Sequence, residues 1–157
     1  MKKVLFIAAA LFAVGFSQAQ ETKFGVKAGV DLATAKVKFP GGSVTSSETG
    51  FFVGAFANIG VSEKFSVQPE LLYVSIKDLN FLSVPVLAKY NVAEEFGILV
   101  GPSINYLLDA QEDEIKLNID LGAMYNITDD LDVSAKYSLG TGDVSLSGIF
   151  IGLGYSF

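Results

Sequence analysis

Eight ionisable side chains are distinguished by their spacing: Lys27, Asp31, Glu70, Lys89, Lys116, Asp120, Asp132 and Lys136. Each lies in a stretch where every second residue is apolar, so each occupies the face opposite an apolar series. Four bases and four acids form a neutral set. If their faces converge, the simplest chemistry is a lattice of buried ion pairs and hydrogen bonds, because a charge taken out of water must be paired. A second reading is a narrow polar pathway for small solutes or ions. Glu70, mid-segment and beside the bulky Leu72, would be its gate.

Catalysis finds little support. The chain has no histidine, which removes the usual general base. Ser134 or Ser138 with Lys136 would make a Ser–Lys pair, but residues two apart on a strand merely share a face. No catalytic residue, cofactor or metal site is assigned, and the chain is expected not to be an enzyme. Asp109, Glu112, Asp113 and Glu114 cluster in one connection and could hold a divalent cation bridging to lipopolysaccharide phosphates. Their spacing matches no EF-hand loop, so a solvated charge run is the simpler reading.

The elements that would position the eight charges are strands. Alternation is met over eight segments: Phe24 to Ala33, Gly50 to Gly60, Phe65 to Ile76, Phe81 to Asn91, Phe96 to Tyr106, Ile115 to Ile127, Leu131 to Gly140 and Ile149 to Phe157. The last is the clearest, with Ile149, Ile151, Leu153, Tyr155 and Phe157 against Phe150, Gly152, Gly154 and Ser156. One apolar face and one polar or small face, repeated in strands of about 9 to 11 residues, is the pattern of a lipid-facing barrel. A soluble eight-stranded barrel would reverse it, placing the apolar series inside. Connections are short at Val61 to Lys64, Val92 to Glu95 and Thr128 to Asp130. The intervening ones, Thr34 to Thr49, Lys77 to Asn80, Leu107 to Glu114 and Thr141 to Ser147, are the candidate outer loops. The first, with Gly41-Gly42-Ser43 and Ser46-Ser47, reads as flexible. Pro69, Pro85 and Pro102 interrupt the pattern and mark bulges or boundaries, since proline donates no ladder hydrogen bond.

Composition agrees. Half of the 157 residues are hydrophobic, yet beyond residue 19 no stretch approaches the roughly 20 apolar residues of a spanning helix. All six tyrosines (Tyr73, Tyr90, Tyr106, Tyr125, Tyr137 and Tyr155) fall in the apolar series, mostly near strand ends, where an amphipathic ring suits a membrane interface. Met1-Lys2-Lys3, the apolar run from Val4 to Phe16 and the small residues Ser17 and Ala19 make residues 1–19 a signal peptide, cleaved before Gln20. Residues 20–157 then form one barrel domain, holding nine lysines against seventeen acids, a balance that argues against nucleic acid as a partner. There is no cysteine, hence neither a lipid attachment site nor a disulfide.

Gln68-Pro69-Glu70-Leu71-Leu72-Tyr73, Val84-Pro85-Val86-Leu87-Ala88-Lys89-Tyr90, Gly101-Pro102-Ser103 and the closing Gly152-Leu153-Gly154-Tyr155-Ser156-Phe157 resemble the outer-membrane β-barrel domain family often called PorT-like or porin-family proteins. The likeness covers essentially the whole mature chain, and it makes the three prolines family features. It implies architecture and location. The role in protein secretion from which one member takes its name is not carried over. The closing residues Leu153, Tyr155 and Phe157 also look like the assembly signal that Gram-negative machinery recognises on a last strand.

The expectation is therefore an all-β, eight-stranded, antiparallel, up-and-down transmembrane β-barrel, monomeric, in the Gram-negative outer membrane with both termini in the periplasm. Its lumen would be a packed polar network and its role structural or interactive at the surface, with a narrow porin-like channel as the alternative. Its partners would be outer-membrane lipid, including lipopolysaccharide, and the barrel-assembly machinery during biogenesis; the sequence names no surface partner.

Overall fold

A strand with one greasy and one polar face is stable in lipid only if its backbone groups are all paired and its polar face is hidden, and closing the sheet on itself meets both demands. The computed structural model describes residues 21–109 and 114–157, and these do close. The strands are β1 (Thr22–Phe39), β2 (Gly42–Gly60), β3 (Phe65–Ile76), β4 (Leu79–Asn91), β5 (Phe96–Leu107), β6 (Glu114–Asn126), β7 (Leu131–Gly140) and β8 (Val144–Ser156). Each pairs antiparallel with its sequence neighbours, and β1 returns to β8 from Gly25↔Ser156 to Val37↔Val144. The proposed signal peptide lies outside the described residues, as do Glu112 and Asp113.

The apolar series points outward. Val26, Val30, Leu32, Phe51, Val53, Ile98, Val100, Leu117, Ile119, Leu121, Ile151 and Leu153 are all exposed, while Lys27, Asp31, Glu70, Lys89, Asp120, Asp132 and Lys136 are buried. This is the inside-out distribution of a wall solvated by hydrocarbon. Tyr90, Tyr125 and Tyr155 lie toward the end that carries the termini, and Tyr73, Tyr106 and Tyr137 toward the other. Tyr125 donates a 2.7 Å hydrogen bond to Glu95 in the β4–β5 turn.

Three expectations need correction. Thr34 to Thr49 is not a flexible loop. Thr34 to Phe39 and Gly42 to Thr49 continue β1 and β2 as a paired hairpin, Thr34↔Ser47 through Phe39↔Gly42, turned at Pro40-Gly41. Gly41 has φ +105°, a conformation that costs glycine little and other residues much. Two connections shrink: Lys77 to Asn80 becomes Lys77 and Asp78, because Leu79 and Asn80 join β4, and Thr141 to Ser147 becomes Thr141 to Asp143, because Val144 to Ser147 join β8. Finally, the prolines mark neither bulges nor boundaries. Pairing lapses beside them, between Pro69↔Val86 and Leu72↔Ser83 and between Pro85↔Ser103 and Ala88↔Val100, and resumes in the same register. The sheet loses hydrogen bonds there without gaining a residue.

The hairpin departs from the expected pattern because the alternation inverts its phase. On β1 the outward residues change from Val30 and Leu32 to Thr34, Lys36 and Lys38, and the inward ones from Lys27 and Asp31 to Ala33, Ala35 and Val37. On β3 the inward series passes from Gln68 and Glu70 to Leu72, Val74 and Ile76, all buried. Beyond the hydrocarbon layer the outer face is free to be polar; Ala33 and the β3 residues Leu72, Val74 and Ile76 join a buried apolar cluster, whereas Ala35 and Val37, farther out on the hairpin, are exposed.

Candidate functional site in the barrel lumen

Inward-facing positions of β1, β3, β6 and β7 bring together a continuous chain of charges. Lys27 Nζ lies 2.7 Å from Glu70 Oε1, Glu70 Oε2 lies 3.6 Å from Lys136 Nζ, and Lys136 Nζ lies 2.9 Å from Asp120 Oδ2. Neutral groups complete the carboxylates. Gln68 Nε2 donates to Glu70 Oε1 at 2.7 Å, and Ser103 and Ser138 hydroxyls donate to Asp120 Oδ1 at 2.8 and 2.6 Å. Glu70 is 2% exposed and Asp120 1%. Burial this deep strips a carboxylate of its hydration, and the facing lysines and hydrogen-bond donors offset that loss.

Aromatic rings pack against both lysines. Lys27 Nζ stands 5.3 Å from the Phe56 ring centre and Lys136 Nζ 5.0 Å from that of Phe150, distances suited to cation–π attraction. Phe150 in turn meets Phe52 at 5.4 Å between ring centres. Glycines make room for these rings: a Cβ on Gly152 would fall 2.6 Å from the Phe52 ring and 2.6 Å from the Ala28 carbonyl, and one on Gly25 would fall 2.4 Å from the Phe56 ring.

Among the described residues, the other four of the eight charges take no part in this chain of ion pairs. Lys89 and Asp132 line a vestibule of about 220 Å³ at the end that carries the termini. Asp31 is buried under Gly148, where an added Cβ would fall 2.4 Å from its Oδ1. Among the described residues, neither Oδ1 of Asp31 nor Oδ1 of Asp132 has a hydrogen-bond partner. Lys116 sits at the opposite rim and pairs with Glu114. Asp109, the other described acid of that connection, accepts from the Asn80 backbone and side chain at 2.8 and 2.9 Å. Ser138, the candidate nucleophile beside Lys136, directs its hydroxyl to Asp120 as a hydrogen-bond donor.

The lumen is not polar throughout. Ala33, Phe52, Leu72, Val74, Ile76, Phe81 and Phe150 form a buried apolar cluster beyond the ion pairs, and Leu87, Leu99 and Met124 form another against the β4–β6 wall. Beside the network the free space is about 10 Å³ among Lys27, Glu70, Leu72, Leu99, Lys136 and Phe150, and about 10 Å³ near Asp31, Asn105 and Asn118. Each is near the smallest volume that holds one water. The residues that close the lumen, Phe52, Phe56 and Phe150, were visible in sequence as members of the inward series; their bulk was the signal, set among glycines.

Over residues 4–157 the chain matches the family described as outer membrane protein beta-barrel domain. The chain belongs to that family. A comparison with curated proteins finds no match. Among solved structures this family member is similar in fold to a de novo designed transmembrane β-barrel (21% identity, TM-score 0.58, covering 89% of this chain and 100% of that one). It is likewise similar to Ail, the attachment invasion locus protein of Yersinia pestis (16% identity, TM-score 0.58, 88% and 100%), and to Neisserial surface protein A (17% identity, TM-score 0.52, 88% and 100%). At these identities the likeness is one of fold.

Proposed function

We propose that this outer-membrane barrel is a closed scaffold that displays its outer end, rather than an open pore. The observation that carries this reading is the belt Lys27–Glu70–Lys136–Asp120, sealed by Phe52, Leu72 and Phe150 with about 10 Å³ of free space beside it. A hydrated ion has no room there, and a bare one would have to separate paired charges in a medium that screens them poorly. The end with the short turns and both termini faces the periplasm after signal-directed export, and the β1–β2 hairpin rises from the outer surface. The two tyrosine sets sit at the membrane interfaces, and Leu153, Tyr155 and Phe157 present the outward edge that the assembly machinery reads.

Liposome swelling tests the reading. Vesicles carrying protein purified from outer membranes should swell in small sugars no faster than protein-free vesicles. Swelling that scales with protein content would instead support the narrow porin-like channel.

A further inference from the structure

The outer wall changes from apolar to polar at one level, and there it is also concave. A groove of about 690 Å³ crosses the outward face of β2, β1, β8 and β7. Its lower part is Leu32, Tyr137, Leu139 and Ile149, exposed members of the lipid-facing belt. Its upper part holds Lys36, Lys38, Ser145 and Ser147. The register brings them together: Lys36 pairs across the β1–β8 seam with Ser145, Thr34 with Ser147, and Thr34 with Ser47 of β2. The Thr34 and Ser47 hydroxyls lie 3.3 Å apart. Neither lysine forms an ion pair among the described residues. Among the described residues, Glu48 is the one acid in the lining.

We propose that this groove binds one phosphorylated, acylated glycolipid of the outer leaflet. An acyl chain on Leu32, Leu139 and Ile149 would be continuous with the lipid shell that already covers the belt. The same molecule's phosphate then lies at the level of Lys36 and Lys38, where a lysine near an anionic lipid surface is favourable. The surrounding serine and threonine hydroxyls can donate to phosphate oxygens and exchange hydrogen bonds with a sugar. An apolar floor, two lysines and a ring of hydroxyls match a phosphosugar on acyl chains better than a zwitterionic phospholipid, whose cation the lysines would repel. The proposal rests on the reading that the hairpin end faces outward.

The test uses protein purified from outer membranes in detergent, stripped of lipid, and compared with a Lys36→Gln/Lys38→Gln variant and a Lys64→Gln control from the opposite end. Retained lipid is read by native mass spectrometry after titration with bisphosphorylated lipid A, lipid A lacking both phosphates, or phosphatidylcholine. A heat-dependent gel shift verifies that each protein is folded. One lipid A should be retained by the wild type and the control, with affinity reduced about thirtyfold in the double variant as two lysine–phosphate attractions are lost. Removing the phosphates should cost a similar factor, and excess inorganic phosphate should leave the lipid in place. Equal retention by the folded double variant, equal binding of dephosphorylated lipid, or displacement by inorganic phosphate would overturn the proposal. Liposome swelling does not depend on these lysines, so failure here is distinguishable from failure of the closed-scaffold reading.

Discussion

Glu70→Gln should destabilise the barrel far more than its single-atom change suggests. Among the described residues, Glu70 is the only carboxylate paired with Lys27, at 2.7 Å, and the second one facing Lys136, at 3.6 Å. The amide keeps the side chain's shape but removes the charge that offsets desolvation of two lysines, each no more than 6% exposed. Breaking a buried pair by neutralising one partner costs about 3–5 kcal/mol. Lys136 retains Asp120 at 2.9 Å, so the lower end, about 3 kcal/mol, is expected. Lys27→Met should cost a similar amount. With both replaced, the orphaned charge is gone, and the total should fall short of the sum by about 2 kcal/mol, the coupling of residues in one network. Urea unfolding from lipid vesicles, followed by the heat-dependent gel shift and by circular dichroism, gives all four stabilities. A Glu70→Gln loss below about 0.5 kcal/mol, or strict additivity in the double variant, would refute the claim that this pair holds the lumen together.

Other consequences concern the wall and its closure. Leu121→Arg, on the outward belt, should cost about 2–4 kcal/mol of folding stability at mid-depth, and Leu139→Arg near the rim about 0–1 kcal/mol; equal costs in vesicle unfolding would contradict the assigned depth. Gly25→Ala drives a methyl into the Phe56 ring and within 2.5 Å of the Tyr155 carbonyl at the β1–β8 closure, a misfit of about 1–3 kcal/mol. An unfolding midpoint equal to that of the wild type would show that the lumen has slack. Tyr155→Asp, or loss of Phe157, should lower the heat-shifted fraction recovered from outer membranes, and normal recovery of both would remove the C-terminal residues as an assembly signal.

Strand count and sidedness were legible because lipid imposes a strict rule: outward positions such as Ile149, Ile151 and Leu153 must be apolar, whatever the lumen does. The inward positions obey no such rule. Charge marked Lys27, Glu70, Asp120 and Lys136 as inward, yet nothing in strand spacing says that Lys27 reaches Glu70, 43 residues away, while Lys116 turns to Glu114 at the rim. That depends on the stagger of β1 against β3 around the barrel. The apolar residues Leu72, Val74 and Ile76 share the parity of Glu70, so alternation alone assigns no polarity to that face. Lys36 and Lys38 fall on the parity of Val30 and Leu32, where the strand leaves the membrane and its faces exchange character.

Planar-bilayer recording of the purified protein tests the closed lumen most directly. With insertion verified, the wild-type barrel should give a silent membrane at neutral pH, because the Lys27–Glu70–Lys136–Asp120 belt leaves no hydrated path. Steady unitary conductance that changes in Glu70→Gln would contradict the account and make the same charges the lining of a pore.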